Sequence, residues 1–476
     1  MTQSFPARRR RAAWLLPALL TGACASVPDV SEAPAIRAPS EHAAAVALAG
    51  SQAAWPGDGW WHAYGDPQLA RLIEQALADS PDLAAAAARM RAAEGYTQRA
   101  SAALKPTVDA FAEPEFSRQS ENNGPPDPLG PGGWDDRGRV GLTLSFDLDL
   151  WGKNRAAFRA AEADADAARF EMAEVRLGLT TGIASTYAEL ASLYARRDTL
   201  AGSVDLREQT ATLVARRVEQ GLDTQGELKQ ATARVSQARA DLEATDEALA
   251  LTRNALAALI GAGPDTALDI ERPRLAALQT QGLPATASLD LIGRRPDIAA
   301  ARARVEAADE RVSEARAEFY PNVNLSALIG LQAVGLGNLF SGGSQFGSIG
   351  PAVSLPIFHG GALEGQYRGR RGQYDEAVAG YDGRVIAALR ETADAVTSQR
   401  RLVSRLVESR RALADFEDAN RLMRSRYEHG LASYLDVLSA EEGVLAARRT
   451  VAELETRAFT LDVALIRALG GGFAAA

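Results

Sequence analysis

Most of the chain spaces its apolar residues three and four apart, but four short stretches alternate apolar with polar. The clearest is RVGLTLSFDLDLWG (139–152): Val140, Leu142, Leu144, Phe146, Leu148 and Leu150 fall on one face, and Arg139, Gly141, Thr143, Ser145, Asp147 and Asp149 on the other. The pattern predicts a strand over 139–150, with companions at 107–117, 323–331 and 349–357; Phe111 is out of phase in the first of these. Helical spacing predicts a short amphipathic helix at 66–79, then a second that opens at Pro81 behind Ser80, a capping residue, and is stopped by Pro106 after Leu104. Beyond Gly152 helical spacing continues without Pro to Gln220, a length of roughly 100 Å at 1.5 Å per residue. A turn follows at GLDTQG (221–226), where Thr224 and Glu227 form a capping box for a helix reaching about Ile260. The sequence GLASYLD (430–436) is its counterpart, with Ser433 and Asp436 at cap spacing.

These elements occur twice. Pro81, Asp82, Pro106 and Val108 recur as Pro296, Asp297, Pro321 and Val323 at an offset of 215, while Gly141, Gly152, Gly221, Leu222 and Gly261 recur as Gly350, Gly361, Gly430, Leu431 and Gly470 at 209. The offset changes inside ENNGPPDPLGPGGWDD (121–136), a Pro- and Gly-rich loop. The expected organisation is a segment 1–23 removed on export, an N-terminal segment 24–65, a first repeat 66–282 and a second repeat 283–476.

The predicted strands are nine to twelve residues long, enough to cross a hydrocarbon core when tilted. Their apolar face would meet lipid, and the face bearing Asp147 and Asp149 would meet a water-filled lumen. Four strands cannot close a barrel alone, and open edges in lipid leave backbone groups unpaired at several kcal/mol each. The strands therefore either avoid the membrane or are pooled by several chains. Two chains supply eight strands and three supply twelve, and the second arrangement leaves a passage.

The amino-terminal basic run Arg8 to Arg11, the apolar AAWLLPALL and the small residues up to Cys24 have the layout of an export signal. Two processing routes fit. In one, Cys24 is acylated as in a lipoprotein, although Thr21 stands where Leu is usual; in the other, the signal is simply cleaved after ACA. The formal net charge of −9 becomes about −13 once the four arginines leave, which argues against nucleic acid as a partner. One cysteine excludes an intrachain disulfide and a thiolate metal cluster. The histidines, His42, His62, His359 and His429, have no metal-ligand spacing. Gly152 and Lys153 lack the rest of a phosphate loop, and SGGSQFGSIG (341–350) suits a hairpin turn better than a nucleotide cradle. No enzyme chemistry and no cofactor are expected.

The segments WWHAYGDPQLARLI (60–73), FDLDLWGKNR (146–155), RRPDIAAARARV (294–305), FYPNV (319–323), LPIFHGG (355–361), RYEHGLASYLDVL (426–438) and ALGGGF (468–473) resemble the TolC-like outer-membrane efflux proteins, especially their lipoprotein branch. The resemblance covers nearly all of the chain after the export signal. It implies a mainly α fold with a transmembrane β portion: a homotrimer whose twelve-stranded barrel sits in outer-membrane lipid of a Gram-negative cell, above a long helical barrel in the periplasm. It also implies a passive conduit for drugs or other toxic solutes, working with a periplasmic adaptor (membrane fusion) protein and an inner-membrane pump of the resistance-nodulation-division type. By position, Gly221, Leu222, Gly430 and Leu431 correspond to the tip gripped by the adaptor, and glycine at these points also ends helices. Tyr434, Leu435 and Asp436 correspond to the periplasmic gate. Ser439 stands where some relatives carry a carboxylate; Asp436 either replaces that charge or caps its helix with Ser433. A conduit for secreted proteins and a trimeric structural or adhesive surface protein are the alternatives.

Overall fold

A computed structural model describes residues 27–29, 32–37, 41, 48, 53–118, 120, 133–274, 284, 291 and 293–474. Cys24, His42 and most of the loop from 121 lie outside the described residues. The chain divides into two compact units, one holding 90–167 and 301–381 with the amino-terminal residues to 36, the other holding 37–89, 168–300 and 382–476.

Helices and strands alternate in the expected order. Helix α1 (Pro67–Asp79) starts with the Asp66 carboxylate accepting from the Gln68 amide at 2.9 Å and with Pro67 in the first turn. Helix α2 (Pro81–Ala102) ends two residues before the expected Leu104, because the amides of Ala103, Leu104 and Lys105 each reach back only three residues. After strands β1 (Thr107–Arg118) and β2 (Trp134–Asp147) come α3 (Lys153–Glu219) and α4 (Gln225–Leu259). The second half repeats this with α5 (Pro296–Ala317), β3 (Asn322–Val334), β4 (Gln345–Ser354), α6 (Ala362–Glu428) and α7 (Tyr434–Ala468). Paired helices match in length: α2 and α5 have 22 residues each, α3 and α6 have 67, and α4 and α7 have 35. The duplication read from scattered Gly and Pro is thus a duplication of whole elements.

The strands form one antiparallel sheet in the order β1-β2-β3-β4. Its register places Val108, Ala110 and Ala112 opposite Leu144, Leu142 and Val140, which stand opposite Ala327, Ile329 and Leu331. One face is therefore apolar and the other carries Asp109, Glu113, Glu115, Arg137, Arg139, Thr143, Ser145, Asn322 and Asn324. Strand β2 starts earlier than the alternation predicts, because β1 continues to Arg118, which pairs with Trp134. It also ends earlier, at Asp147: the chain turns at Asp149, whose φ is 45°. Strand β4 is displaced toward the amino terminus for a related reason, since Ser354 pairs with Asn322, the first residue of β3, and Pro356 has no amide to donate.

In the unit containing the sheet, Ala315, Phe319 and Tyr367 form a small core to which Val27 adds from the amino-terminal side. In the other unit the motif WWHAYGD becomes a core anchor. Trp60, Trp61 and Tyr64 pack with Ile73, Ile183, Tyr187, Leu256 and Phe459. The Tyr64 hydroxyl donates to Asp462 at 2.7 Å, and Asp66 accepts from the Tyr187 hydroxyl and the Arg274 amide, both at 2.7 Å. Arg295 of RRPD is also buried, donating to Asp297, to Glu391 and to the Ala468 carbonyl at the end of α7. Among the described residues, no helix is long and apolar enough to cross a membrane.

Candidate functional site

The two helical turns are built alike. At the end of α3 the Leu222 amide donates to the Arg217 carbonyl at 2.8 Å and the Gly221 amide to Val218; at the end of α6 Leu431 donates to Arg426 at 2.8 Å and Gly430 to Tyr427. Gly221 and Gly430 have φ of 70° and 73°, the left-handed conformation that closes a helix in this way. Each turn then starts the next helix with a reciprocal box, Thr224 with Glu227 and Ser433 with Asp436. Termination is therefore a role these glycines fill in full. The side chains of the leucines that follow them have no such role: Leu222 and Leu431 are 61% and 68% exposed.

Of the residues read as a gate, Leu435 is 66% exposed and Ser439, one turn on, is exposed beside it on α7. Tyr434 departs from the expectation. It is 3% exposed and packs inward with Val214, Ala231, Tyr427, Val437 and Leu438, since its position on α7 faces the adjacent helices. Asp436 is occupied as a cap: it accepts from the Ser433 amide and hydroxyl, both at 2.8 Å, and the backbone hydrogen bond followed by that of the hydroxyl lowers its carboxyl below the usual range. In the chain Leu435 and Ser439 share a surface, Tyr434 is turned away from it, and Asp436 is exposed but engaged as a cap.

A cluster that sequence reasoning missed ties the two turns together. Arg217 donates two hydrogen bonds to Asp223, at 3.0 and 3.2 Å, and a third to the Tyr427 carbonyl at 2.8 Å, with its guanidinium 4.4 Å above the Tyr427 ring. The Tyr427 hydroxyl donates to the same Asp223. The Arg217 and Asp223 side chains are largely buried, the setting in which removing one partner strands the other. No spacing announces this, because Arg217 and Tyr427 come from different repeats. Deeper in the same unit the buried Glu441 accepts from the Thr210 hydroxyl, and burial raises its carboxyl above the ordinary range, partly offset by that bond and by Arg424 and Arg207.

At the sheet, Asp147 accepts from Asn322 and from the Asp149 amide, each at 2.9 Å, and stays at the end of the polar face. Asp149 does not belong to that face, contrary to expectation. It lies past the strand and caps α3, accepting from the amides of Asn154 at 2.9 Å and Arg155 at 3.0 Å and from the Arg155 side chain. The simple alternation continued through 150, but the ladder ended with its partner strand. Aromatic pairs mark both ends of the sheet: Phe116 stacks on Trp134 at 5.4 Å and Trp151 on Tyr320 at 4.9 Å, all four exposed. Among the described residues no group of three or more His, Cys, Asp or Glu is placed to hold a metal ion.

A family model described as outer membrane efflux protein matches residues 72–262 and 288–471. The chain belongs to the outer membrane efflux protein family, which is one of channels and not of enzymes. It is 33% identical over 437 residues to the multidrug resistance outer membrane protein MdtP of Shigella flexneri, covering 89% of this chain and 88% of that one. The pyoverdine export outer membrane protein OpmQ of Pseudomonas aeruginosa is 30% identical over 458 residues, 96% of this chain and 95% of that one. The crystal structure of the outer membrane protein VceC from Vibrio cholerae superposes with a TM-score of 0.84 at 44% identity, covering 88% of this chain and all of that one. The protein is an outer-membrane efflux channel component.

Glu441 makes the stability of the helical tip pH-dependent. Its folded-state carboxyl is raised from an ordinary value of 4.5, so the unfolded chain loses this proton first as pH rises. Its contribution is full below that ordinary value and is lost as pH climbs toward the raised one. Thermal unfolding in detergent followed across this window is expected to show a smaller decline with pH in Glu441→Gln than in the parent; an unchanged decline contradicts the assignment.

Proposed function

We propose that three copies of the chain assemble into a channel that carries toxic organic solutes from an inner-membrane pump and a periplasmic adaptor through the outer membrane. The observation that carries this is the sheet. Four strands present an apolar face with Leu142, Ile329, Ile349 and Val353 all exposed, and the outer edges of β1 and β4 have no partner within the sheet. In lipid each unpaired backbone group costs several kcal/mol, a penalty that closure between copies removes. Three copies bring twelve strands, enough to surround an aqueous passage. The aromatic pairs at the two ends of the sheet suit the two membrane–water interfaces.

Leu222 and Leu431, exposed beside Gly221 and Gly430, supply apolar contacts for the adaptor, and Leu435 supplies the resting constriction. An apolar ring around an axis excludes water until the helices move apart, and adaptor contact that favours the parted state opens it. The Arg217–Asp223–Tyr427 cluster holds the first turn against the end of α6 in the resting state. The purified protein is expected to run as a trimer in detergent and to conduct rarely in planar bilayers, with Leu435→Ala raising the open fraction by about tenfold or more. A monomer, or a Leu435→Ala channel as silent as the parent, contradicts the assembly or the gate respectively.

Cys24 is the attachment site of a lipid anchor. Val27, three positions further along the chain, packs beside Phe319 and Tyr367. Cells grown with labelled palmitate are expected to label the parent but not Cys24→Ser; equal labelling, or none in either, contradicts acylation at this residue.

A further inference from the structure

One row of the polar face is not polar. Phe111, Gly141, Gly330 and Phe346 stand opposite one another across all four strands. A Cβ on Gly141 would come 2.9 Å from the Phe111 ring, and one on Gly330 would come 2.9 Å from the Phe346 ring. The two rings thus fold inward over bare backbone, as aromatic side chains do across a glycine in a sheet. Phe111 breaks the alternation of β1 for this reason.

Arg139, in the next row of β2, lays its guanidinium over both rings, with Cζ 5.1 Å from each centroid. Both distances are within the range of cation–π attraction. A guanidinium carries five N–H donors, and here they are largely unspent. The Nε is buried without a hydrogen-bond partner, and the facing carboxylate, Glu113, stands 3.6 Å from Nη1, beyond hydrogen-bond length, while the side chain remains 40% exposed. The other charges near it are Arg137 opposite Glu115 one row on, and Asp109 one row beyond the glycines.

We propose that Arg139 with its two phenyl rings is a docking site for small organic anions in transit, carboxylates carried on aromatic or apolar frames. The proposal rests on the polar face lining the lumen of the trimeric channel. The planar guanidinium offers paired hydrogen bonds to a carboxylate, and the rings hold it in place so that little side-chain freedom is lost on binding. The same rings give an apolar body a surface to lie against. Glu113 weakens the hold, which a conduit requires: a solute must bind well enough to enter and loosely enough to leave. Three copies set three such sites at one level of the barrel.

The test uses planar bilayers with full-length Leu435→Ala channels, and benzoate and benzylamine as probes. Benzoate is expected to interrupt the current and benzylamine not. Arg139→Gln is expected to abolish these interruptions and to shift the reversal potential in a salt gradient toward cations, by about threefold in permeability ratio. Replacing both rings, Phe111→Leu with Phe346→Leu, keeps the charge and is expected to weaken the interruptions without a comparable shift. Channels of Arg139→Gln that conduct but keep the parent's interruptions and reversal potential overturn the site and leave the channel assignment intact. If Arg139→Gln does not insert, the probes decide in the Leu435→Ala channel itself, where interruption by benzylamine as strong as by benzoate overturns the site. Complete absence of pores from Leu435→Ala overturns the channel assignment, and the site with it.

Discussion

A backbone in lipid has no water to hydrogen-bond with, and every feature of the sheet follows from that constraint. Inside the sheet the ladder satisfies β2 and β3 on both sides, but β1 and β4 each have one side that no strand among the described residues pairs with. Charged or proline-bearing edges are the usual protection of an exposed strand in water. Here the edge strands do hold Pro114 and Pro351, yet they also carry Val108, Ala110, Ile349 and Val353 on the face they share with the exposed centre. A surface of this kind is unfavourable in water and incomplete in lipid, which is what supports the proposed assembly of several copies.

The duplication addresses the same constraint from the helical side. Each repeat delivers two strands and then a helix of 67 residues followed by a turn and one of 35. Long helices with Ala at their contacts approach closely and present apolar residues on more than one flank. At the turns, equivalent capping boxes open the next helix in both repeats, yet the Arg217–Asp223–Tyr427 cluster occurs once among the described residues, between them. The two halves share a scaffold and differ at this cluster, the contact on which the proposed opening by a partner would act.

Periodicity made the strands, the long helices and the capping boxes legible, because each has a local signal: a repeat of two, a repeat near 3.6, or a Ser or Thr three residues before an acid. The repeat offsets carried the fold further than any single motif. Legibility failed where the decisive contact was distant in sequence. Asp149 continues the alternation of β2 but caps α3, since the end of the strand is set by where β3 begins to pair. Tyr434 sits beside Leu435 in sequence but is buried against the neighbouring helices while Leu435 is exposed. The Arg217 cluster spans two repeats, and the row Phe111, Gly141, Gly330 and Phe346 emerges only when the register of four strands is known. Even there one signal was present, a phenylalanine out of phase.

The central claim is that the free edge of β1 in one copy pairs with the free edge of β4 in the next. Cysteines placed on β1 at 108, 110 or 112 and on β4 at 349, 351 or 353 share one face of the sheet, and adjacent strands bring such Cβ atoms to about 4–5 Å, close enough to bridge. Oxidation of these paired variants in native outer membranes, resolved by denaturing electrophoresis without reductant, tests the claim directly. At least one pairing is predicted to give a covalent trimer while the matching single-cysteine variants do not; failure of every pairing to link chains, with the protein correctly inserted, would contradict it.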